Sequence, residues 1–369
     1  MNIVYISMLT GKKSAGLTYS IPAQIKSQKK MDNVFWYNIN ATVKNKLING
    51  QLCNNTDDFP TLKIGSLPAP FNHPDLVVFQ GVYIYKYIKI YRECKIRRIP
   101  YIIIPRSSLT KIGQQQKMLK KKVANQFIFK KFINDAAAIQ YLTQREYRDS
   151  GDFWNSNHII IPNGVEKKAR TRRNNKNRNI RGVFIGRADS SQKGIDLLLD
   201  ACKLLKNEFS LNNCKIDIYA PNSREDKDNI NKMILERDLQ EYINKYDGIY
   251  GLDKEEVLLN SDFFILTSRF EGHPTGLIEA LSYGIPCLVT EGTNMAQEIN
   301  DYKAGWSSET SVEGIVHAFR ELFGSSNKLE DFSRNALELS KIYSWDYISE
   351  ISHTEYIKLI NKQTEVLNT

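Results

Sequence analysis

Apolar residues along this chain come in short runs, each closed by glycine, proline or asparagine. Longer stretches with helical spacing lie between them. In the first half the runs fall at residues 2–7, 34–39, 76–79, 101–104, 136–142 and 159–161. The first of them alternates loosely around Ile3, Val4 and Ile6 and reads as a buried strand, and the others are further short strand candidates. Helical patterns are expected at 19–29 and, longest of all, at 108–132. The turn Pro162-Asn163-Gly164 closes this half. A second series places strands at 182–185, 215–219, 248–250, 263–266 and 287–289. Helices are expected at 194–206, 229–246, 254–260 and 275–283, with a helical tail from 312 to about 359 that breaks near Trp345. Strand and helix alternating twice over predicts two α/β domains, each with a mostly parallel sheet. The expected boundaries are a first domain at 1–165, a basic linker at 166–181, a second domain at 182–345 and a closing helix at 346–369.

The most informative stretch is SDFFILTSRFEGHPTGLIEALSYG, from Ser261 to Gly284. An apolar strand runs into a polar loop bearing Glu271, Gly272 and Pro274. A short helix follows, with Glu279 in its first turns. A strand, loop and helix carrying two carboxylates at this interval belong to a ligand site at the carboxyl edge of a parallel sheet. A second loop is of interest. Gly186 and Arg187 end a strand, and Lys193-Gly194 stand just before an apolar helix face. A planar fork of donors and a compact cation suit a diphosphate leaving group.

Composition changes the picture only in places. The 369 residues are 41% hydrophobic and 25% charged, an ordinary globular balance, and contain no apolar run of membrane-spanning length. The N-terminus reads as a first strand rather than a signal peptide. Five cysteines at unrelated spacings fit a reducing, cytoplasmic setting and no metal site. Charge is uneven. Residues 1–165 hold 24 Lys and Arg against 9 Asp and Glu, and residues 166–181 hold 8 against 1, so the remainder is acidic overall. A basic first half points to an anionic partner: membrane lipid, nucleic acid or a phosphorylated substrate. The run KMLKKKVANQFIFKK, residues 117–131, interleaves lysines with large apolar residues. As a helix it would suit an anionic membrane surface.

The Glu271 to Glu279 segment, with Ala280 after it, resembles the donor signature of retaining glycosyltransferases of family 4 (glycosyltransferase group 1). That family has the GT-B fold, two Rossmann-like domains facing a central cleft. The resemblance implies that Glu279 binds the ribose of a nucleotide sugar and Glu271 contacts the donor sugar. It also implies that the backbone of Pro274, Thr275, Gly276 and Leu277 approaches the phosphates. Arg187 and Lys193 would neutralise the leaving diphosphate beside Gly186. Glu271, Arg187 and Lys193 are thus the catalytic candidates. In the first domain, Gly16 would bring its amide toward the diphosphate, although Ala15 stands where relatives carry a second glycine. Arg106 stands where relatives often have a histidine, and is expected as a donor or phosphate contact rather than a base. Pro221 replaces a glycine-rich turn, and His273 is expected to shape the sugar pocket. The segment Tyr343-Ser344-Trp345-Asp346 resembles the point where the last helix returns to the first domain.

Read in full, the resemblance implies transfer from a UDP-sugar, with no cofactor and no metal, to a hydroxyl of a glycan or lipid-linked saccharide. Surface polysaccharide synthesis at the inner face of a bacterial membrane would be the setting. A nucleotide-sugar epimerase or a phosphorylase would want other catalytic groups. A nucleic-acid-binding protein lacks a helix-turn-helix or finger pattern here. A non-catalytic protein of the same fold is the remaining alternative, given Ala15, Arg106 and Pro221.

Overall fold

The computed structural model describes residues 1–10, 16–40, 46–115, 118–173, 179–187, 189–221 and 230–368, with side chains as far as 363. Ala15 therefore lies outside the described residues. The chain forms two compact units. One comprises Met1–Gly164 with Trp345–Thr369, the other Val165–Ser344.

The strands of the first unit are β1 (Asn2–Ser7), β2 (Asn33–Asn38), β3 (Leu47–Ile48), β4 (Gln51–Leu52), β5 (Leu76–Gln80), β6 (Tyr101–Ile104), β7 (Ala138–Tyr141) and β8 (His158–Ile160). Six of them make a parallel sheet in the order β2-β1-β5-β6-β7-β8, and β3 and β4 form a small hairpin. Alternation explains the continuous apolar runs. Ile3 and Tyr5 of β1 enter the core on one face, and Val4 and Ile6 enter the core on the other. The helix Trp345–Asn368 completes the first of these cores with Trp345, Ile348 and Tyr356. The Tyr356 hydroxyl donates to Gln140 Oε1 at 2.7 Å, and Ser27 Oγ donates to the Trp345 carbonyl at 2.6 Å. Gly164 is needed where it stands, because a Cβ there would meet the Trp345 ring at 2.4 Å.

In the second unit the strands are β9 (Ile180–Ile185), β10 (Cys214–Tyr219), β11 (Ile243–Tyr246), β12 (Phe263–Leu266), β13 (Cys287–Thr290) and β14 (Gly305–Ser308). They form a parallel sheet in the order β11-β10-β9-β12-β13-β14 around one continuous core. The chain runs outward from β9 to one edge, then returns to lay β12 on the other side of β9.

Four expectations need correction. Residues 248–250 are not a strand. The strand is Ile243–Tyr246, inside the stretch expected as helix 229–246, because Ile243 pairs with Ile216 in register. The edge strand Gly305–Ser308 was not expected at all. The long helix at 108–132 is broken. Arg106 and Ser107 have left-handed backbone (φ 50° and 66°), and the described helical pieces are Lys111–Gln115, Met118–Ala124, a π-turn at Asn125–Phe129 and Lys130–Asn134. Finally, the basic linker, expected as a solvated linker or an exposed loop, is docked in its described part. Its described part is a strap held on the second unit. Arg172 Nη1 lies 3.0 Å from Asp262 and Nη2 lies 2.6 Å from Glu330, with the Arg172 side chain almost wholly buried. Arg170 and Arg173 both pair with Glu256, at 2.5 and 3.0 Å. The acidic surplus of this unit supplies the carboxylates that turn a seemingly solvated run into a docked one.

Candidate functional site

In the second unit, β9 and β12 are neighbours whose following connections leave in opposite directions. The crevice beyond the carboxyl ends of such a pair is where open α/β sheets bind ligands. Two loops meet there. After β9 come Gly186 and Arg187, then Asp189, whose carboxylate caps the turn Ser190–Lys193 by accepting from the Gln192 amide at 3.0 Å. Gly194 follows in the left-handed region (φ 62°), and a Cβ on it would lie 2.1 Å from the Thr267 carbonyl oxygen. Only glycine fits, so the β9 loop and the β12 loop are held backbone against backbone.

The loop after β12 is fastened from three directions. Thr267 Oγ1 donates to the carbonyl of Gly194 at 3.0 Å. The Arg269 guanidinium forks onto both Asp196 oxygens at 2.8 and 2.6 Å. Burial raises the Asp196 carboxyl, but the Arg269 fork outweighs it and holds the group below its ordinary range. Asn294, itself left-handed, donates to the Glu271 and Gly272 carbonyls. A loop held this way presents Glu271 at a fixed position.

Lys193 and Glu271, 78 residues apart, meet at this point: Nζ lies 2.5 Å from Glu271 Oε1, and Ser268 Oγ donates to the same oxygen at 2.8 Å. Glu279 projects from the helix Thr275–Ser282 and is held by two other lysines, Lys254 at 2.5 Å and Lys168 of the strap at 3.8 Å. Arg187 is exposed and hydrogen-bonds Gln192 at 2.6 Å rather than joining the Lys193 pair. Pro274 stands at the N-cap of the helix, and Leu277 is buried in the core. A Cβ on Gly276 would meet nothing closer than 3.7 Å. His273 is buried with its ring 5.0 Å from Tyr343, and burial pushes its imidazole down to about 3. Burial therefore favours its neutral form.

The first unit has its own switch point, between β1 and β5. Gly16 lies there, exposed, at the start of the helix Leu17–Gln28, with ordinary helical backbone. Arg106 comes from the loop after β6 and reaches across the strand ends. Its guanidinium donates to Gln80 Oε1 at 3.1 and 2.8 Å, Asn163 Oδ1 at 3.2 Å, Gln24 Oε1 at 3.4 Å and Ser20 Oγ at 3.5 Å. All four partners are neutral, and burial lowers the group to about 10. The strained turn that presents Arg106 is tied down by the buried Glu146, which accepts from the amides of Ser107 and of Leu142, the latter at 2.7 Å. Sequence reasoning missed Lys254, Lys168, Asn294 and the Arg106 ring. The signal for Glu146 was present in Thr143-x-x-Glu146, where the Thr143 hydroxyl at the helix N-cap accepts from the Glu146 amide at 3.0 Å.

Residues 165–339 match the family Glycosyl transferases group 1. The second unit is a glycosyl transferases group 1 domain. Two curated relatives are similar to the chain. An uncharacterized glycosyltransferase of Methanocaldococcus jannaschii is 21% identical over 64% of this chain and 64% of its own length. The lipopolysaccharide 1,6-galactosyltransferase of Salmonella typhimurium is 27% identical over 28% and 30% respectively. The matched region thus spans less than two thirds of either relative. Among solved structures, sucrose-phosphate synthase of Thermosynechococcus elongatus matches with TM-score 0.74 at 13% identity, over 98% of this chain and 100% of that one. HepE of Anabaena in complex with UDP matches with TM-score 0.72 at 14% identity, over 96% and 99%. These likenesses show that the chain has the GT-B fold, with two doubly wound sheets.

Proposed function

We propose that this chain is a retaining glycosyltransferase that moves a sugar from a nucleotide diphosphate, UDP in the first instance, to a hydroxyl of a glycan or lipid-linked saccharide. Surface polysaccharide synthesis is the proposed setting. The observation that carries the reading is the Lys193–Glu271 pair at the sheet switch point, with Glu279 on the adjoining helix. The group 1 match, the galactosyltransferase relative and the UDP complex of HepE support it.

In this reading the donor diphosphate takes Lys193 from Glu271. The ammonium then neutralises the leaving phosphate, aided by Arg187 and by the amides at the start of the helix Thr275–Ser282. Glu271, released from its lysine, accepts hydroxyls of the donor sugar. Glu279 exchanges Lys254 for the ribose hydroxyls. The leaving phosphate oxygen takes the proton of the attacking hydroxyl on the same face of the sugar, so no protein base is required. The neutral His273 agrees with that.

The test is a donor screen with purified protein, reading nucleotide release and acceptor mass together. With the donor found, Glu279→Ala should weaken UDP binding by roughly 2 kcal/mol, the worth of a hydrogen bond to a charged group. Lys193→Ala should lower kcat by about a hundredfold or more while UDP still binds. Unchanged UDP affinity in the first variant removes the ribose role, and an unchanged kcat in the second removes the phosphate role.

A further inference from the structure

The first unit carries a feature that the transfer chemistry does not use. The helix Met118–Ala124 continues through the π-turn Asn125–Phe129 into the helix Lys130–Asn134. The inner side of this rod is anchored in the core. Phe129 and Phe132 are buried, and the Phe129 ring meets Tyr83 and Tyr85 at 5.2 and 5.4 Å. The outer side is an apolar ridge in water. Leu119, Val123 and Phe127, spaced four apart along the helix, are 75%, 59% and 74% exposed. Met118 stands beside them and is also exposed. The ring of Phe153, exposed as well, lies 4.2 Å from the Lys130 ammonium.

Charge decides what covers this ridge. Lys120, Lys122 and Lys131 are exposed along it, and residues 111–134 contain no carboxylate. Large apolar side chains flanked by lysines, with no acid among them, match a lipid surface. The apolar tips enter the acyl boundary, and the ammonium groups reach anionic headgroups on flexible stems. Among the described residues no helix is long and apolar enough to cross a membrane, so the contact is made from one side. We infer that the 118–131 segment docks the protein on anionic bilayers through the Leu119-Val123-Phe127 ridge and its flanking lysines. The inference uses no residue of the donor site and stands or falls apart from the proposed reaction.

The test is cosedimentation of the full chain with phosphatidylcholine vesicles, with and without phosphatidylglycerol, together with UDP titration in the absence of vesicles. The chain should bind the anionic vesicles and not the neutral ones. Lys120→Glu with Lys122→Glu should weaken that binding by roughly thirtyfold, from about 1 kcal/mol per lysine at such a surface. Leu119→Ser, Val123→Ser and Phe127→Ser together should weaken it about tenfold or more, with the thermal midpoint unchanged because all three side chains lie outside the core. Equal binding to neutral vesicles, or wild-type binding by either variant, overturns the inference. So does concentration-dependent self-association of the wild type that the triple variant abolishes, since the ridge would then join two copies. Loss of UDP binding in the wild type would count against the proposed function and leave this result standing.

Discussion

Glu271 and Glu279 are each clamped by lysine, so a ligand that takes either carboxylate must first displace an ammonium. For Lys193 the exchange is nearly balanced if the ligand brings its own negative charge, which a diphosphate does and a neutral sugar does not. The pairing therefore favours charged donors over free sugars before any shape is considered. His273, close by in sequence, offers a separate check. Its folded value of about 3 lies below the ordinary 6.5, so between these values the unfolded chain binds the extra proton. Stability should fall as pH drops from 6.5, by at most about 1.4 kcal/mol per pH unit from this group. His273→Gln should flatten that part of the profile in urea unfolding followed across pH. Identical slopes for the two proteins would show that another group is responsible. The sequence made Glu271, Glu279 and Lys193 legible because each sits in a local motif. It hid Lys254, Lys168 and the four partners of Arg106, because their contacts link residues from Ser20 to Asn163 or from Lys168 to Glu279 with no shared spacing.

Among the elements, the interior strands could be read and two edge strands could not. Those of β1, β5, β6 and β12 are apolar at successive positions because both faces are covered. Ile243–Tyr246 and Gly305–Ser308 stand at the two edges of the second sheet, pair on one side, and carry one fully buried residue each. Nothing in INKY or GWSS distinguishes them from loop. The basic strap was misread for a related reason: its partners lie some ninety to one hundred and sixty residues away. Arg172 makes the strap an integral part of its unit. Arg172→Ala would leave Asp262 buried with the Arg181 amide but without its cation. The expected cost is about 3 kcal/mol, read as a lower urea midpoint with unchanged slope. A midpoint within error of wild type would mean that the strap is held by its backbone bonds alone.

For the whole molecule, the division into units sets how it comes apart. The helix Trp345–Asn368 belongs to the core of the first unit through Trp345, Ile348 and Tyr356, although it follows the second unit in the chain. A chain ending at Ser344 should lose the calorimetric transition of the first unit, or have it lowered by more than about 10 °C, while the transition of residues 165–344 stays in place. Parallel lowering of both transitions would show one cooperative block. The two doubly wound sheets followed from strand and helix alternation. The crossing point was legible too, in the turn Pro162-Asn163-Gly164 and in the break near Trp345, which fall at the division between the two units.

The return of the last helix also sets a schedule for synthesis. Its apolar face covers β1 and becomes available only after all of residues 165–344 have been translated. At ordinary elongation rates that interval is about 10 to 40 s. Throughout it the first unit has an open seam over Tyr5 and Ile25, while the second unit can already close on itself. The nascent chain thus presents a defined apolar surface for a set interval, one that the folded protein no longer displays.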